Sequence, residues 1–534
     1  MGLSFGSRAA GRGIVLACAC LAFVLAPAQA QKYGGVLKAV HRENPPSLLP
    51  HEWATMSSSW PVMPVYNNLV SYNPDHPVDS ADDLYAELAE KWAWSHGGKT
   101  LTFTLRRGVK WHDGQPFTAA DVKYTFDLVR GANPDRKLRS NPRKLWFEQV
   151  DSITTTGDYA VSFNLKRPQP SLLSMLASGY MMVMPAHMDL TALRGTAVGT
   201  GPFVLKEYAV EQRIVLEKNP NYFVKGRPYL DGISYVIIKD SSARATALAT
   251  GQIDIFFPQE GTPGIRDQVK SAFPQVVVKP VAQFGFYNIV VNTQKPPFNN
   301  LKLRQAVNYA LDRHEFLKTQ RGGTIAGGAL VPPPYSPWGL PEAELAKLPG
   351  WGDGVKDKAM ARHLLAELGY GPANPLKIKV STRSTTNFQE MAVWMVSQLK
   401  QVGIDATLEV VESGIWFPKM ERGDYEMAAN MSGSAAEDPD VTFYEHFGCG
   451  SPRNYSFYCN RELQAEMDRQ SQERDPKKRL QLVHDLDSKL QIDVARALLG
   501  QALDFVMYAP YVKGYVPHNS IYTYGRMQNV WLDK

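Results

Sequence analysis

Cysteine is scarce here: the chain has four in 534 residues, and two of them, Cys18 and Cys20, lie in an apolar stretch at the start. A scaffold stapled by several disulfides is thereby excluded. No run of five or six like charges occurs, and 58 Lys and Arg against 52 Asp and Glu leave a formal charge of only +6. The basic stripe that nucleic acid requires is missing. The 11 histidines never come closer than ten positions, which removes H-E-x-x-H and every i,i+4 ligand pair. His51-Glu52 and His314-Glu315 open like a zincin motif, but no His follows. Gly322 to Gly328 lacks a following Gly-Lys-Ser/Thr and makes no phosphate loop. Beyond the first thirty residues there is no long apolar run, so a polytopic membrane protein is excluded.

What is present is ordinary globular chemistry, 44% hydrophobic and 21% charged, long enough for about three folded units or two unequal lobes. The start reads as an export signal. Arg8 and Arg12 form a positive region, Ile14 to Ala26 an apolar one too short to span a membrane comfortably, and Ala28-Gln29-Ala30 a small-x-small cleavage site. Cleavage after Ala30 leaves a mature periplasmic chain beginning at Gln31. Lipidation at Cys18 or Cys20 is the alternative, disfavoured because both lie inside the apolar run, with Leu16 where a small residue is wanted. Gly2-Leu3-Ser4-Phe5-Gly6 matches a nucleophile elbow but sits in the discarded segment with no strand before it.

The two remaining cysteines, Cys449 and Cys459, stand ten residues apart in a Gly/Pro/Ser/Asn-rich stretch. In an oxidising compartment they read most simply as one local disulfide pinning a surface loop, worth roughly 2.5–3 kcal/mol by loop entropy. Two buried thiols, or a metal pair aided by His446, are the other readings. The 11 Trp and 24 Tyr provide rigid aromatics for lining a cleft, although most belong in the core. Glu437, Asp438 and Asp440 have the chemistry for acid/base work but equally suit solvated or capping roles.

Strand and helix patterns alternate, which favours α/β lobes. Ser234 to Ile238 reads as a strand, Ser241 or Ser242 caps a helix through Ala249, Gly251 stops it, and Ile253 to Phe256 begins the next strand. Leu376 to Val380, helix Phe388 to Val402, Gly403 and strand Thr407 to Val411 repeat the unit, followed by helix Trp416 to Arg422 and strand Asp424 to Asn430. Between about residues 53 and 180 the pattern turns β-rich, with a strand at Leu101 to Leu105 and a hairpin at Ile153 to Leu165 around Gly157-Asp158. Thr118 and Asp121 form a capping box, and Asn300 caps a helix expected to run to Lys318.

The stretch LYAELAEKWAWSHGGKTLTFTLRRGVKWHDGQPFTAADVKYTFD, Leu84 to Asp127, strongly resembles the signature of the bacterial extracellular solute-binding proteins of family 5, the oligopeptide and dipeptide binders of ABC importers. Further matches follow in order: Gly34 to Leu37, Pro46 to Pro50, Gly199 to Phe203, Asn219 to Tyr222, Ala249 to Asp254, Pro297 to Asn300, Arg304 to Ala306, Leu311 to Arg313 and Leu364 to Tyr370. The resemblance implies an α/β periplasmic-binding-protein fold of two lobes joined by hinge crossovers. Lobe 1 would span 31–283 with the β-rich insertion at about 53–180, lobe 2 would span 284–500, and 501–534 would return to lobe 1. Glu260 to Pro274 reads as surface loop and helix before the first crossover.

It also implies the site. Asp438 matches the position that pairs with a peptide ammonium, and Arg383 matches the arginine that clamps a carboxylate in dipeptide binders. Extended ligands would add as a strand beside His41 to Pro46, with Asn44 facing the cleft, and Tyr287 and Asn288 on the first crossover match cleft-facing positions. One departure stands out. Oligopeptide binders carry a Trp where this chain has Ser432-Gly433-Ser434-Ala435. Trp416 is a further cleft candidate without taking that Trp's part. The implied function is a monomeric receptor that binds a short peptide and delivers it to an inner-membrane permease with ATPase subunits, using no cofactor, metal or catalysis. A non-peptide solute (opine, metal chelate, oligosaccharide) is the alternative ligand; a secreted hydrolase or a chaperone or sensory adaptor is the alternative class.

Overall fold

The computed structural model describes Gly2 and residues 31–320, 325–520 and 522–534. The export signal, the elbow-like motif beyond Gly2 and the first part of the Gly-rich loop lie outside the described residues.

The first lobe is built on a four-stranded sheet. Its edge strand Val36–His41 runs parallel to Gly232–Ile237, which pairs antiparallel with Arg213–Lys218 and then Phe203–Ala209. The helix Ser241–Ala249 returns from this sheet, but its cap is Asp240, whose Oδ1 accepts from Ala243 N at 2.7 Å, rather than Ser241 or Ser242. A carboxylate suits a helix start better than a hydroxyl because it also answers the dipole. Ile253 to Phe256 forms no strand: Ile255 alone bridges Ala39 and Tyr508.

The β-rich insertion is an antiparallel sheet in the order Ala89–Ser95, Thr100–Leu105, Ala160–Leu165, Val150–Thr155, and its hairpin turns at Gly157 with φ +58°. Helix Ala119–Val129 covers it and starts with the expected capping box, Thr118 accepting from the first turn while Asp121 accepts from Thr118 N at 3.0 Å.

The second lobe carries a five-stranded sheet in the order Asp405–Val411, Lys377–Arg383, Met427–Gly433, Val277–Val291, Ala497–Tyr508. Helix Thr386–Gln401 buries Phe388, Met391, Met395 and Leu399 against it, and Gly403 turns the chain at φ +89°. The helix capped by Asn300 stops at Ala310, short of Lys318. Leu311 is extended, with ψ 110°, and Asp312 caps a fresh turn, so one apolar stripe is divided between two elements.

The lobes are joined by a ribbon. Val277–Val291 pairs antiparallel with Ala497–Tyr508, from Val277 opposite Tyr508 to Ile289 opposite Ala497, and the register breaks between Ala282 and Phe286. The largest apolar core lies in the first lobe and includes Val506, Met507, Tyr522, Val530 and Leu532, so the C-terminal segment packs there. A second core of Ile289, Leu303, Val380, Met391, Met427 and Leu499 sits under the second sheet. Among the described residues no helix is long and apolar enough to cross a membrane, and no His/Cys/Asp/Glu cluster is arranged to hold a metal.

Candidate ligand-binding cleft

The lobes are closed on one another. Across the seam, Arg383 Nη2 reaches Glu43 Oε1 at 3.3 Å, Ser171 Oγ donates to Asp440 at 2.6 Å, Arg167 pairs with Asp468 at 2.8 Å and Ser140 Oγ donates to Glu421 at 3.1 Å. Between them lies a cavity of about 380 Å³, openings included. The first lobe contributes Arg42, Thr55, Met56 and Gln259; the second contributes Arg383, Phe388, Phe417, Asn430, Arg453 and Tyr455; the C-terminal segment adds Tyr522. Closed, the cavity leaves free space of only about 20 Å³, room for about one water.

Arg383 is the last residue of strand Lys377–Arg383 and is held on every side. Its guanidinium lies 4.6 Å from the Phe388 ring and 5.0 Å from the Phe417 ring, while Nε and Nη2 donate to Ser413 Oγ at 2.9 and 2.7 Å. Stacking between two rings fixes the plane of the fork without consuming its edge. Nη1 has no hydrogen-bond partner among the described residues, so its N–H groups remain available to a ligand oxygen.

Glu43 faces Arg383 from the other lobe. Burial raises its carboxyl, but Arg383 and Arg42, with Ser57 and Ser413, outweigh that and hold it at about 2. Arg42 donates to Glu260 at 3.2 Å, and Glu260 accepts from Arg244 at 2.7 Å. Glu260 is thus buried behind Arg42, which lines the cavity; the expectation of a surface loop there is corrected for it, whereas Pro263–Ala272 is a helix with an exposed face.

The disulfide forms, with Cα atoms 4.7 Å apart, but the loop it closes is not a surface loop. Ser451, Arg453, Asn454 and Tyr455 are buried, and Arg453 and Tyr455 line the cavity. Arg453 pairs with Glu445, its carbonyl accepts from Arg496 Nη2 at 2.8 Å, and its Nε has no partner. A cross-link ten residues wide therefore positions a cleft wall.

The other expected site residues are placed elsewhere. Asp438 caps helix Pro439–His446 and receives both Nη groups of Arg479, at 2.7 and 2.9 Å, so its charge is spent inside the lobe. Asn44 accepts from Tyr208 Oη at 3.0 Å and Glu211 N at 3.1 Å, fastening its loop to the first sheet. Tyr287 belongs to the second core, 5.5 Å from the Phe316 ring, and Asn288 bonds Asn430 O, Ser432 Oγ and Arg496 Nη1. Trp416 is fully buried behind Phe417 and Tyr455, supporting the rings that do reach the cavity. Of the six ligand candidates only Arg383 lines the cavity. Sequence reading missed Arg42, Arg453 and Gln259; the sole local signals were Arg42 at the end of the first strand and Arg453 inside a cysteine-bounded loop.

Beyond Gly433 a smaller cavity of about 280 Å³ continues along Phe284, Ser336, Trp338, Ser434 and Glu437. Burial, then Asp79, Asp438 and Asp82, push the Glu437 carboxyl up to about 7 against the Ser336 hydrogen bond.

The model of the bacterial extracellular solute-binding proteins, family 5, matches residues 83–454. The chain belongs to that family. It is 26% identical to the dipeptide-binding protein of Escherichia coli K12 over 488 residues, covering 85% of this chain and 86% of the relative. Among solved structures it is similar to the ABC transporter-associated periplasmic binding protein DppA of Helicobacter pylori in complex with peptide STSA (TM-score 0.81, 25% identity, 94% and 99% coverage). The binding protein AgaA of A. tumefaciens R10 in complex with agropinic acid shares the fold (TM-score 0.82, 22% identity, 94% and 99% coverage). The two-lobed periplasmic-binding-protein architecture is thereby established for this solute-binding protein.

Proposed function

We propose that this protein is the receptor of an ABC importer, a monomer exported by cleavage after Ala30, which closes on a small solute bearing a free carboxylate and delivers it unchanged to an inner-membrane permease. Lobe 1 is taken as 31–283 with 501–534, and lobe 2 as 284–500. The observation that carries this reading is Arg383, stacked between Phe388 and Phe417, lining the interlobe cavity and leaving Nη1 without a partner among the described residues. With Nε and Nη2 committed to Ser413 and Glu43, Nη1 is left to donate a charge-assisted hydrogen bond to a ligand carboxylate oxygen. Short peptides are the leading ligands, supported by the dipeptide-binding and peptide-complexed relatives. The peptide ammonium, which Asp438 cannot serve while paired to Arg479, is then left to Glu437 in the adjoining cavity. An opine-like solute is the second reading, favoured by the arginines of the wall and by the neighbour that holds agropinic acid.

The test is mass spectrometry of small molecules released when freshly purified protein is denatured. Recovered di- to tetrapeptides are expected; an opine would select the second reading, and steady turnover of a bound solute would overturn the receptor assignment in favour of a hydrolase. N-terminal sequencing of the exported protein should begin at Gln31.

A further inference from the structure

Three arginines line the interlobe cavity, Arg42, Arg383 and Arg453, and no Asp or Glu does. All three are at least nine-tenths buried, so their charges are weakly screened by water. Each has a protein carboxylate, but the carboxylates are shared: Glu43 serves Arg42 and Arg383, Glu260 serves Arg42 and Arg244, and Glu445 serves Arg453. Two more buried guanidinium groups stand behind the wall. Arg143 lies 3.3 Å from the Tyr180 ring, donates through Nη2 to Trp53 O at 2.9 Å, and leaves Nε and Nη1 without partners. Arg496 is bonded only to neutral acceptors, namely His446 O, Asn288 Oδ1, Ser432 Oγ and Arg453 O.

Six guanidinium groups are thus arranged around three carboxylates. Asp504, accepting from Gln259 N at 2.7 Å, and Glu421, tied to Ser140, stand a layer further out and leave the balance positive even when both are counted as ionised. His41 and His446 add no charge at neutral pH, since burial lowers both. Positive charge held out of water with too few partners is costly until an anion arrives.

Resting on the receptor reading above, we infer that the cavity selects a small organic solute carrying two carboxylates, one on Nη1 of Arg383 and one toward Arg453 and Arg42. Against the three nearest carboxylates the six guanidinium groups carry an excess of three, which one ligand carboxylate lowers to two and a second lowers to one. The closed cavity leaves room for about one water, about 20 Å³, so an acidic dipeptide or a dicarboxylate of similar size is taken up as the lobes part. The two sources share the same anionic ends and differ in the ammonium, which only the peptide carries.

The experiment is thermal-shift and calorimetric titration of the purified protein, stripped of bound solute by unfolding and refolding, with Ala-Asp, Asp-Asp, Ala-Ala, Ala-Lys and glutarate. Ala-Asp or Asp-Asp should bind at least about tenfold tighter than Ala-Ala and Ala-Lys. Binding of glutarate as well would show that two carboxylates suffice; an acidic dipeptide binding without glutarate would make the solute a peptide. In Arg453→Gln the preference for the second carboxylate should shrink to less than about threefold, through weaker binding of Ala-Asp and Asp-Asp. If that variant does not fold, Arg42→Gln, which also removes one positive charge from the wall, provides the same comparison. Equal or tighter binding of Ala-Ala or Ala-Lys in the wild type overturns the inference, and so does no binding of any acidic member. In that last case a neutral solute released from protein as isolated keeps the receptor reading, whereas no bound solute and no closure with any compound removes both.

Discussion

The arginine wall and the acidic loop at Glu437 to Asp440 look alike as strings of charged residues, yet they behave oppositely once folded. Asp438 meets both Nη groups of Arg479 on the same lobe and is neutralised before any ligand arrives. Arg383 meets its carboxylate, Glu43, across the cleft and keeps Nη1 in reserve. A charged residue becomes a binding group when its internal partner leaves some of its donors or acceptors unused.

The sharpest way to break this contrast is Arg479→Gln. Removing one side of a largely buried pair should cost roughly 3–5 kcal/mol of stability, read by denaturant unfolding, with ligand affinity in the surviving folded fraction nearly unchanged. A lost affinity with unchanged stability would return Asp438 to the site. Arg383→Gln should do the converse, weakening a carboxylate ligand by about 2–4 kcal/mol in calorimetry. Unchanged affinity would remove the wall's chief member.

Cys459→Ser comes next. Opening the loop should cost roughly 2.5–3 kcal/mol. Because the loop carries Arg453 and Tyr455 into the cavity, ligand affinity should fall too, which the pinning of a mere surface loop would not predict.

The smallest effect is the pH dependence of the acidic side. Glu437, raised to about 7 from an ordinary 4.5, binds its proton in the folded state first, so stability should rise by about 2 kcal/mol between pH 8 and pH 5 through this group. Glu437→Gln should flatten that portion of the profile. Glu43 has the opposite sign: lowered to about 2, it stabilises above about pH 4.5 and the gain is lost as pH falls through 2.

Much of the fold was legible because its signals are local and periodic. The apolar spacing of Met391, Met395 and Leu399, the Thr118–Asp121 box, the Asn300 cap and the Gly157 turn each lie within a dozen residues and decide themselves. The helix after Asn300 was read too long because the apolar stripe continues past Leu311 while the backbone does not. Of the residues lining the interlobe cavity only Arg383 was legible, together with the cysteine pair behind its wall. Charge partners are non-local: Arg383 lies 340 residues from Glu43, Arg42 lies 218 from Glu260, and Asp438 lies 41 from Arg479. No spacing rule reaches that far. Asn44, Asn288 and Trp416 were polar or aromatic residues near the right strands, and the structure uses their bonding capacity within each lobe.

The ribbon of Val277–Val291 and Ala497–Tyr508 has a mechanical consequence. Two independent tethers would let the lobes slide, twist and separate by separate routes. Strands hydrogen-bonded to each other on both sides of a short irregular stretch, with register shifts between Ala282 and Phe286 and again between Tyr287 and Asn288, restrict that freedom to flexing there. Opening then resembles a jaw on a short hinge, and the angle of the jaw reports at the outer surface, far from Arg383, whether the cleft is filled.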